Sequence, residues 1–176
     1  IDLLGRDHEL QIVPRAEIES ALTENTALAL LTHVNYRTGE MFDMAHLTRL
    51  CRSVGVPVVW DLCHSAGAVP LHLNDWDVDY AVGCTYKFLN GGPGSTSYAY
   101  ISRTALEGFS PVITGWFSHA NQFGFEEGYR GADSINKMQV GTPQVLSLRG
   151  AFNGIMVDIC SDRNCHCFGK LELNVN

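Results

Sequence analysis

Two apolar, β-rich runs, each leading into a chemically reactive side chain, constrain this chain more than any other feature. Val56, Val58, Val59 and Trp60 lead into Asp61, with His64 three residues further on. Tyr80, Ala81, Val82, Gly83 and Cys84 lead into Thr85-Tyr86-Lys87, ahead of the glycine-rich Asn90-Gly91-Gly92-Pro93-Gly94. Apolar runs of this length, bounded by turn residues, suit strands of a parallel sheet. Open α/β sheets hold their ligands at the carboxyl ends of the strands. An acid ending one strand and a lysine following another therefore meet at the edge where a ligand binds.

Those residue types suit pyridoxal phosphate. A lysine amine condenses with the cofactor aldehyde, and a carboxylate beside the pyridine nitrogen keeps that nitrogen protonated so that the ring accepts electrons. Lys87 and Asp61 fit these roles, Tyr86 can hydrogen-bond the cofactor phosphate, and His64 stands close enough to Asp61 to join the site. Each residue also has a plainer reading: Asp61 as a helix cap after a strand, Lys87 as a solvated surface lysine, His64 as a satisfied histidine. Their combination, with glycine-rich turns beside it, favours the cofactor.

The rest of the pattern is α/β. Ile12, Ala16, Ile18 and Leu22 have helical spacing behind Pro14, which is tolerated in a first turn. Ala27 to Leu31 reads as a strand buried on both faces. Asp43 to Val54 reads as a capped helix with Ala45, Leu47, Leu50 and Cys51 along one side, stopped by Gly55 ahead of Pro57. Strand 27–31, helix 43–54 and strand 56–60 make one β-α-β unit with a right-handed crossover. A short helix is expected near His64, and the alternating run Ser97 to Ile101 is expected to pair with strand 80–84 across the lysine loop. Residues 108–144 read as irregular and aromatic-rich, which points to a functional or interface region. Val145 to Cys160 begins with helical spacing.

Composition bounds the partners. With 176 residues, 45% of them hydrophobic and 18% charged, the chain is long enough for one real core. A net charge of -7 and the lack of any Lys/Arg cluster exclude nucleic acid as a natural partner. No apolar run approaches the roughly 20 residues of a membrane span, and no signal-peptide pattern opens the sequence. The six cysteines read as reduced, buried small hydrophobes of an intracellular, cytoplasmic protein. No metal is expected. Cys160, Cys165, Cys167 and His166 lack the paired spacing of structural zinc, and the Asn74 to Asp79 run lacks the glycine and closing glutamate of a calcium loop. Gly91, Gly92 and Gly94 match no nucleotide phosphate-loop pattern.

Three stretches closely resemble the kynureninase family: Asp61-Leu62-Cys63-His64-Ser65-Ala66-Gly67, Asp75-Trp76-Asp77-Val78-Asp79, and Cys84 through Gly94. Thr32 to Gly39, Gly115-Trp116-Phe117 with His119, and Gly141-Thr142-Pro143 extend the resemblance over most of residues 20–150. It implies a fold type I pyridoxal phosphate enzyme, related to class V aminotransferases and cysteine desulfurases. The implied fold is part of the large cofactor-binding domain, a mainly parallel sheet with flanking helices. Residues 1–150 would belong to that domain, and 151–176 would begin the linker helix and continue into a divergent, poorly ordered tail.

The implied reaction is hydrolytic cleavage of L-kynurenine, or its 3-hydroxy form, to an anthranilate and L-alanine, a step of tryptophan catabolism toward NAD. A homodimer is implied as well. Lys87 and Tyr86 would be catalytic; Thr32, Asp61, His64, Tyr86, Lys87, Trp116 and Thr142 would bind the cofactor, Trp116 reaching the phosphate across the dimer interface. The plainer readings are a strand-end hydroxyl for Thr32 and an interface or core aromatic for Trp116. Phe117 and His119 would shape the substrate pocket. The resemblance also implies a protein roughly twice this size or more, so the chain reads as a fragment, without the small-domain arginine that takes the substrate carboxylate or the aromatic that stacks on the cofactor. Another fold type I enzyme, desulfurase-like or transaminase-like, is the alternative.

Overall fold

A computed structural model describes residues 8–161 of the chain. Four strands form one sheet in the order β1 (Ala29–Thr32), β2 (Val58–Asp61), β3 (Tyr80–Cys84) and β4 (Ser97–Ile101). The first three run parallel and β4 runs antiparallel to β3. This is the expected mainly parallel sheet, with the hairpin partner at 97–101 in place. Thr32 pairs with Asp61, Asp61 with Val82, and Cys84 with Ser97, so the carboxyl ends of β1, β2 and β3 share one edge.

Between β1 and β2 runs α2 (Met44–Ser53). Its start is fixed by Asp43, whose carboxylate accepts the His46 N–H at 2.8 Å. It buries Met44, Leu47, Thr48 and Cys51, a stripe at i, i+3, i+4 and i+7. That stripe joins Ala29, Val58, Trp60 and Ala81 of the sheet in the core cluster, where Trp60 is fully buried. Burying an indole N–H requires a partner, and Trp60 Nε1 donates to Thr48 Oγ1 at 3.0 Å.

Three expectations differ from the structure. The strand at 27–31 is not buried on both faces: Ala29 is buried, whereas Leu28 and Leu30 are 53% and 70% exposed. Among the described residues the helical layer lies on the Ala29 side, and Leu30, paired with Val59, belongs to the opposite face. The helix expected over 12–22 is two short pieces, a 3-10 turn at Arg15–Glu17 and α1 (Ile18–Ala21). Extended Pro14 starts it and Leu22 leaves helical geometry, so Ile18 alone is buried there.

The helix expected near His64 is a run of turns. Ser65 and Ala66 N–H both reach the Leu62 carbonyl, and Ala68 and Val69 N–H both reach that of Ser65. The chain turns away because Gly67 is left-handed, with φ +85°, and its bare Cα lies against the lysine loop. A Cβ there would sit 2.5 Å from the Phe88 carbonyl oxygen.

Beyond β4 come α3 (Arg103–Gly108), too short to carry a helical period in the sequence, and an irregular stretch with 3-10 turns at Trp116–Ser118 and Ile135–Met138. The last element, α4 (Val145–Ser161), agrees with the expected helix. It buries Ala151 and Ile155 and passes so close to the lysine loop that a side chain at Gly154 would collide with the Asn90 backbone. The divergent tail from Asp162 onward lies outside the described residues.

Gly67→Ala combines a disfavoured backbone angle with a collision against main-chain atoms. It is expected to destabilise the chain by about 2–4 kcal/mol, read as a lower urea midpoint at unchanged slope. An unchanged midpoint would mean that the turn after Asp61 does not touch the lysine loop.

Candidate active site

Asp61 closes β2, and Leu62 N–H continues the ladder to the Val82 carbonyl at 2.8 Å. The half-buried carboxylate is fixed by its own turn, Oδ1 accepting the Cys63 N–H at 2.8 Å. Asp61 borders an open cleft of about 1080 Å3 with Leu30, Thr32, Cys63, Cys84 and Tyr98. Thr32 keeps its plainer role at the same time, since its hydroxyl donates to the Val34 carbonyl at 3.1 Å.

Lys87 lies three residues beyond the end of β3, on a loop closed by Gly91 N–H to the Thr85 carbonyl (2.8 Å) and Asn90 N–H to the Lys87 carbonyl (2.9 Å). Its Nζ is 2.8 Å from His64 Nε2, an ammonium donating to a ring nitrogen that accepts when the imidazole is neutral. The His64 ring faces that of Tyr36 with centroids 5.8 Å apart. Lys87 Nζ also lies 5.3 Å from the centre of the Tyr86 ring. Tyr86 itself is half-exposed.

The predicted residues thus fall into four groups. Thr32 and Asp61 share the cleft; Lys87, His64 and Tyr86 cluster beside it at the same sheet edge but outside its lining. Trp116 belongs to a separate aromatic group with Phe117 and Phe123, centroids 4.7 and 5.9 Å away. Exposed Thr142 lies between Gly141 and Pro143, which border a smaller hollow of about 450 Å3 that shares Thr96, Ser97 and Gln139 with the cleft. Phe117 belongs to the Trp116 group, and His119 stacks edge-on against Tyr129 at 5.8 Å.

Several site residues escaped the sequence reading. Cys63, Cys84 and Tyr98 line the cleft around Asp61. Burial, then hydrogen bonding to Asp61 and Cys84, pushes the Cys63 thiol up to about 12. Burial, reinforced by Cys63, Cys84 and Asp61, holds the Tyr98 hydroxyl well above its usual range. The sequence places the two cysteines two positions beyond Asp61 and Val82, and only the ladder pairing of those two residues brings them to the same end of the sheet.

His33, directly after Thr32, is buried between the edges of Trp60 and Trp76, with Nδ1 unpartnered among the described residues. Burial lowers its pKa from the usual 6.5. It is neutral in the folded chain and charges more readily once unfolded, so stability present above 6.5 is lost as pH falls toward the lower, folded value. His33→Leu is expected to flatten the fall in urea midpoint between about pH 7 and pH 5. An unaltered slope in the variant would exclude His33 as its source.

A mixed sheet with parallel strands, helices beside it, and reactive side chains gathered where the strands end defines an open-sheet α/β scaffold. The family model Aminotransferase class-V matches residues 4–157, and the chain belongs to that family. Kynureninase from Pseudomonas fluorescens is 43% identical over 148 residues, covering 84% of this chain and 36% of that protein. Kynureninase from Burkholderia mallei (strain SAVP1) is 38% identical over 171 residues, 97% of this chain and 41% of its own length. The chain therefore spans about two fifths of the length of these relatives.

Among solved structures, the cysteine desulfurase CsdA from Escherichia coli aligns with TM-score 0.70 at 22% identity, over 84% of this chain and 36% of that one. A C-DES mutant with glycine covalently linked to its PLP cofactor aligns with TM-score 0.67 at 21% identity, over 84% and 39% of the two chains. At these identities the likeness is one of fold.

Proposed function

We propose that this chain is the cofactor-holding part of a pyridoxal 5'-phosphate enzyme that hydrolyses L-kynurenine, or 3-hydroxy-L-kynurenine, to anthranilate or 3-hydroxyanthranilate and L-alanine. The observation that carries the cofactor reading is a carboxylate and a primary amine following adjacent, hydrogen-bonded parallel strands, at the edge where such sheets hold ligands. The donor set fits the group: a fixed acid at Asp61 and hydroxyls of Thr32, Thr96 and Ser97 line a cleft of ample size, and the Lys87 amine stands beside it at the same sheet edge. The choice of substrate is supported by kynureninases at 38–43% identity, whereas the desulfurase likeness lies near 22%.

When bound, the cofactor supplies an aldehyde to capture the substrate amine and a ring that accepts electrons from its α-carbon. Asp61, its carboxylate fixed by the Cys63 N–H, would hold the proton on the pyridine nitrogen. Lys87 would hold the cofactor through Nζ and would move protons at the substrate α-carbon as general acid and base. His64, 2.8 Å from Nζ in the free chain, accepts its hydrogen bond and orients the amine. Tyr86, beside the lysine, binds phosphate and donates a proton as the side-chain ketone is cleaved. Thr32 and Thr142 would bind the cofactor, and half-exposed Trp116, edge-on to Phe123, suits a role at a subunit interface in a homodimer. Free Cys51, Cys63 and Cys84 suit a reducing, cytoplasmic setting within tryptophan catabolism and NAD biosynthesis. No helix among the described residues is long and apolar enough to cross a membrane.

Adding pyridoxal 5'-phosphate to the chain is expected to produce a visible absorption band that is absent in Lys87→Ala. In Asp61→Asn the affinity should fall at least about tenfold, the loss expected when a charge-assisted hydrogen bond is removed. A band that persists in Lys87→Ala would remove the lysine from its role. In the full-length protein to which this chain belongs, with L-kynurenine as substrate, fluorescent anthranilate is the expected product; sulfur release from cysteine or keto-acid exchange without anthranilate would favour the desulfurase-like or transaminase-like alternative.

A further inference from the structure

Cys63 and Cys84 meet where β2 gives way to its turn and β3 ends. The ladder pairs Asp61 with Val82 and continues through Leu62 N–H to the Val82 carbonyl; Cys63 follows in the turn, with its thiol within hydrogen-bonding reach of that of Cys84. Neighbouring strands lie about 4.8 Å apart, inside the span of roughly 4.4–6.8 Å between α-carbons that a disulfide accepts. The Cys84 thiol already lies over its neighbour, with Sγ 4.0 Å from the Cys63 carbonyl. Both are free thiols, and both line the open cleft, so small reagents reach them.

We propose that Cys63 and Cys84 form a redox-active dithiol that closes to a disulfide beside Asp61, under two-electron oxidants of the peroxide or diazene class. Cys84 reacts first. Its sulfur attacks the oxidant, a peroxide oxygen leaving as alcohol or water, or a diazene adding across its N=N bond. Cys63 then attacks Cys84 sulfur, giving up its proton to the Asp61 carboxylate within hydrogen-bonding reach. The second leaving group takes that proton from Asp61 as it departs, leaving as water or as the hydrazine and returning the carboxylate to its ionised form. Two thiol hydrogens are lost in all, one S–S bond forms, and one oxidant molecule is reduced. Burial explains why Cys63 does not initiate: its thiol stays protonated at neutral pH and serves as the resolving partner.

The consequence for the cleft rests on the cofactor reading above. The bridge takes the Cys63 thiol away from Asp61 and ties the turn holding that carboxylate to the end of β3, so the oxidised chain is expected to bind pyridoxal 5'-phosphate more weakly.

The whole chain, reduced and then treated with diamide at neutral pH, is blocked with N-ethylmaleimide and digested without reductant. Peptide mass mapping is expected to find Cys63 joined to Cys84, reversibly with dithiothreitol, and in Cys51→Ser as in the parent chain. Cofactor affinity, titrated before and after oxidation, is expected to drop about tenfold or more. Separate maleimide adducts on Cys63 and Cys84 after oxidation, or bridges to Cys160, Cys165 or Cys167 in their place, would overturn the proposal. A bridge that forms without altering affinity would overturn its effect on the cleft. Failure to bind cofactor in either state, with the bridge present, would instead remove the cofactor reading.

Discussion

The in-register parallel pairing of β2 with β3 is the interaction on which the rest depends. Asp61 opposite Val82, carried one step further by Leu62 N–H to the Val82 carbonyl, decides which side chains leave the sheet together. In a strand a slip of one residue would turn every side chain to the opposite face. Such a slip would send Asp61 toward the core that Trp60 fills and take it from the cleft. Fully buried Trp60, held by Thr48 beneath it, makes that exchange costly, so the hydrophobic side of the strand fixes the reactive side.

Beyond the strand ends, backbone-to-backbone contacts replace regular structure. The turn after Asp61 and the loop bearing Lys87 touch where Gly67 meets Phe88, and α4 presses on that loop where Gly154 meets Asn90. Both contacts exclude a β-carbon. The lysine is therefore held by a loop wedged between a turn and a helix, while the Lys87 to His64 hydrogen bond connects the two strand ends through their side chains. A site built this way needs no long element of its own; it needs close approach at two glycines.

Much of the fold was legible in the letters because its periods are local. The Met44, Leu47, Thr48 and Cys51 stripe, the Asp43 cap and the apolar runs ending at Asp61 and Cys84 each carry their own signal. The turns at 62–69 were misread as a helix because the left-handed angle of Gly67 answers to Phe88, more than twenty positions away. Leu28 and Leu30 were read as buried because an apolar strand does not say which of its faces a helix covers. Within the candidate site, residue type and position single out Asp61 and Lys87. Cys63 and Cys84 passed as small hydrophobes, since their adjacency follows from register between strands and is invisible in either strand alone. Trp116 and Thr142 stand apart from the Asp61 cleft, so their inclusion rests on resemblance.

The central claim is that the edge formed by β2 and β3 selects one lysine for a carbonyl ligand. It is tested most directly by reducing the chain with borohydride in the presence of pyridoxal 5'-phosphate and mapping which lysine carries the pyridoxyl group. The chain holds Lys87, Lys137 and Lys170. Stoichiometric label on Lys87, lost from that position when Asp61 is replaced by asparagine at limiting cofactor, is the predicted result. Label spread over the three lysines, or concentrated on Lys137 or Lys170, would contradict it.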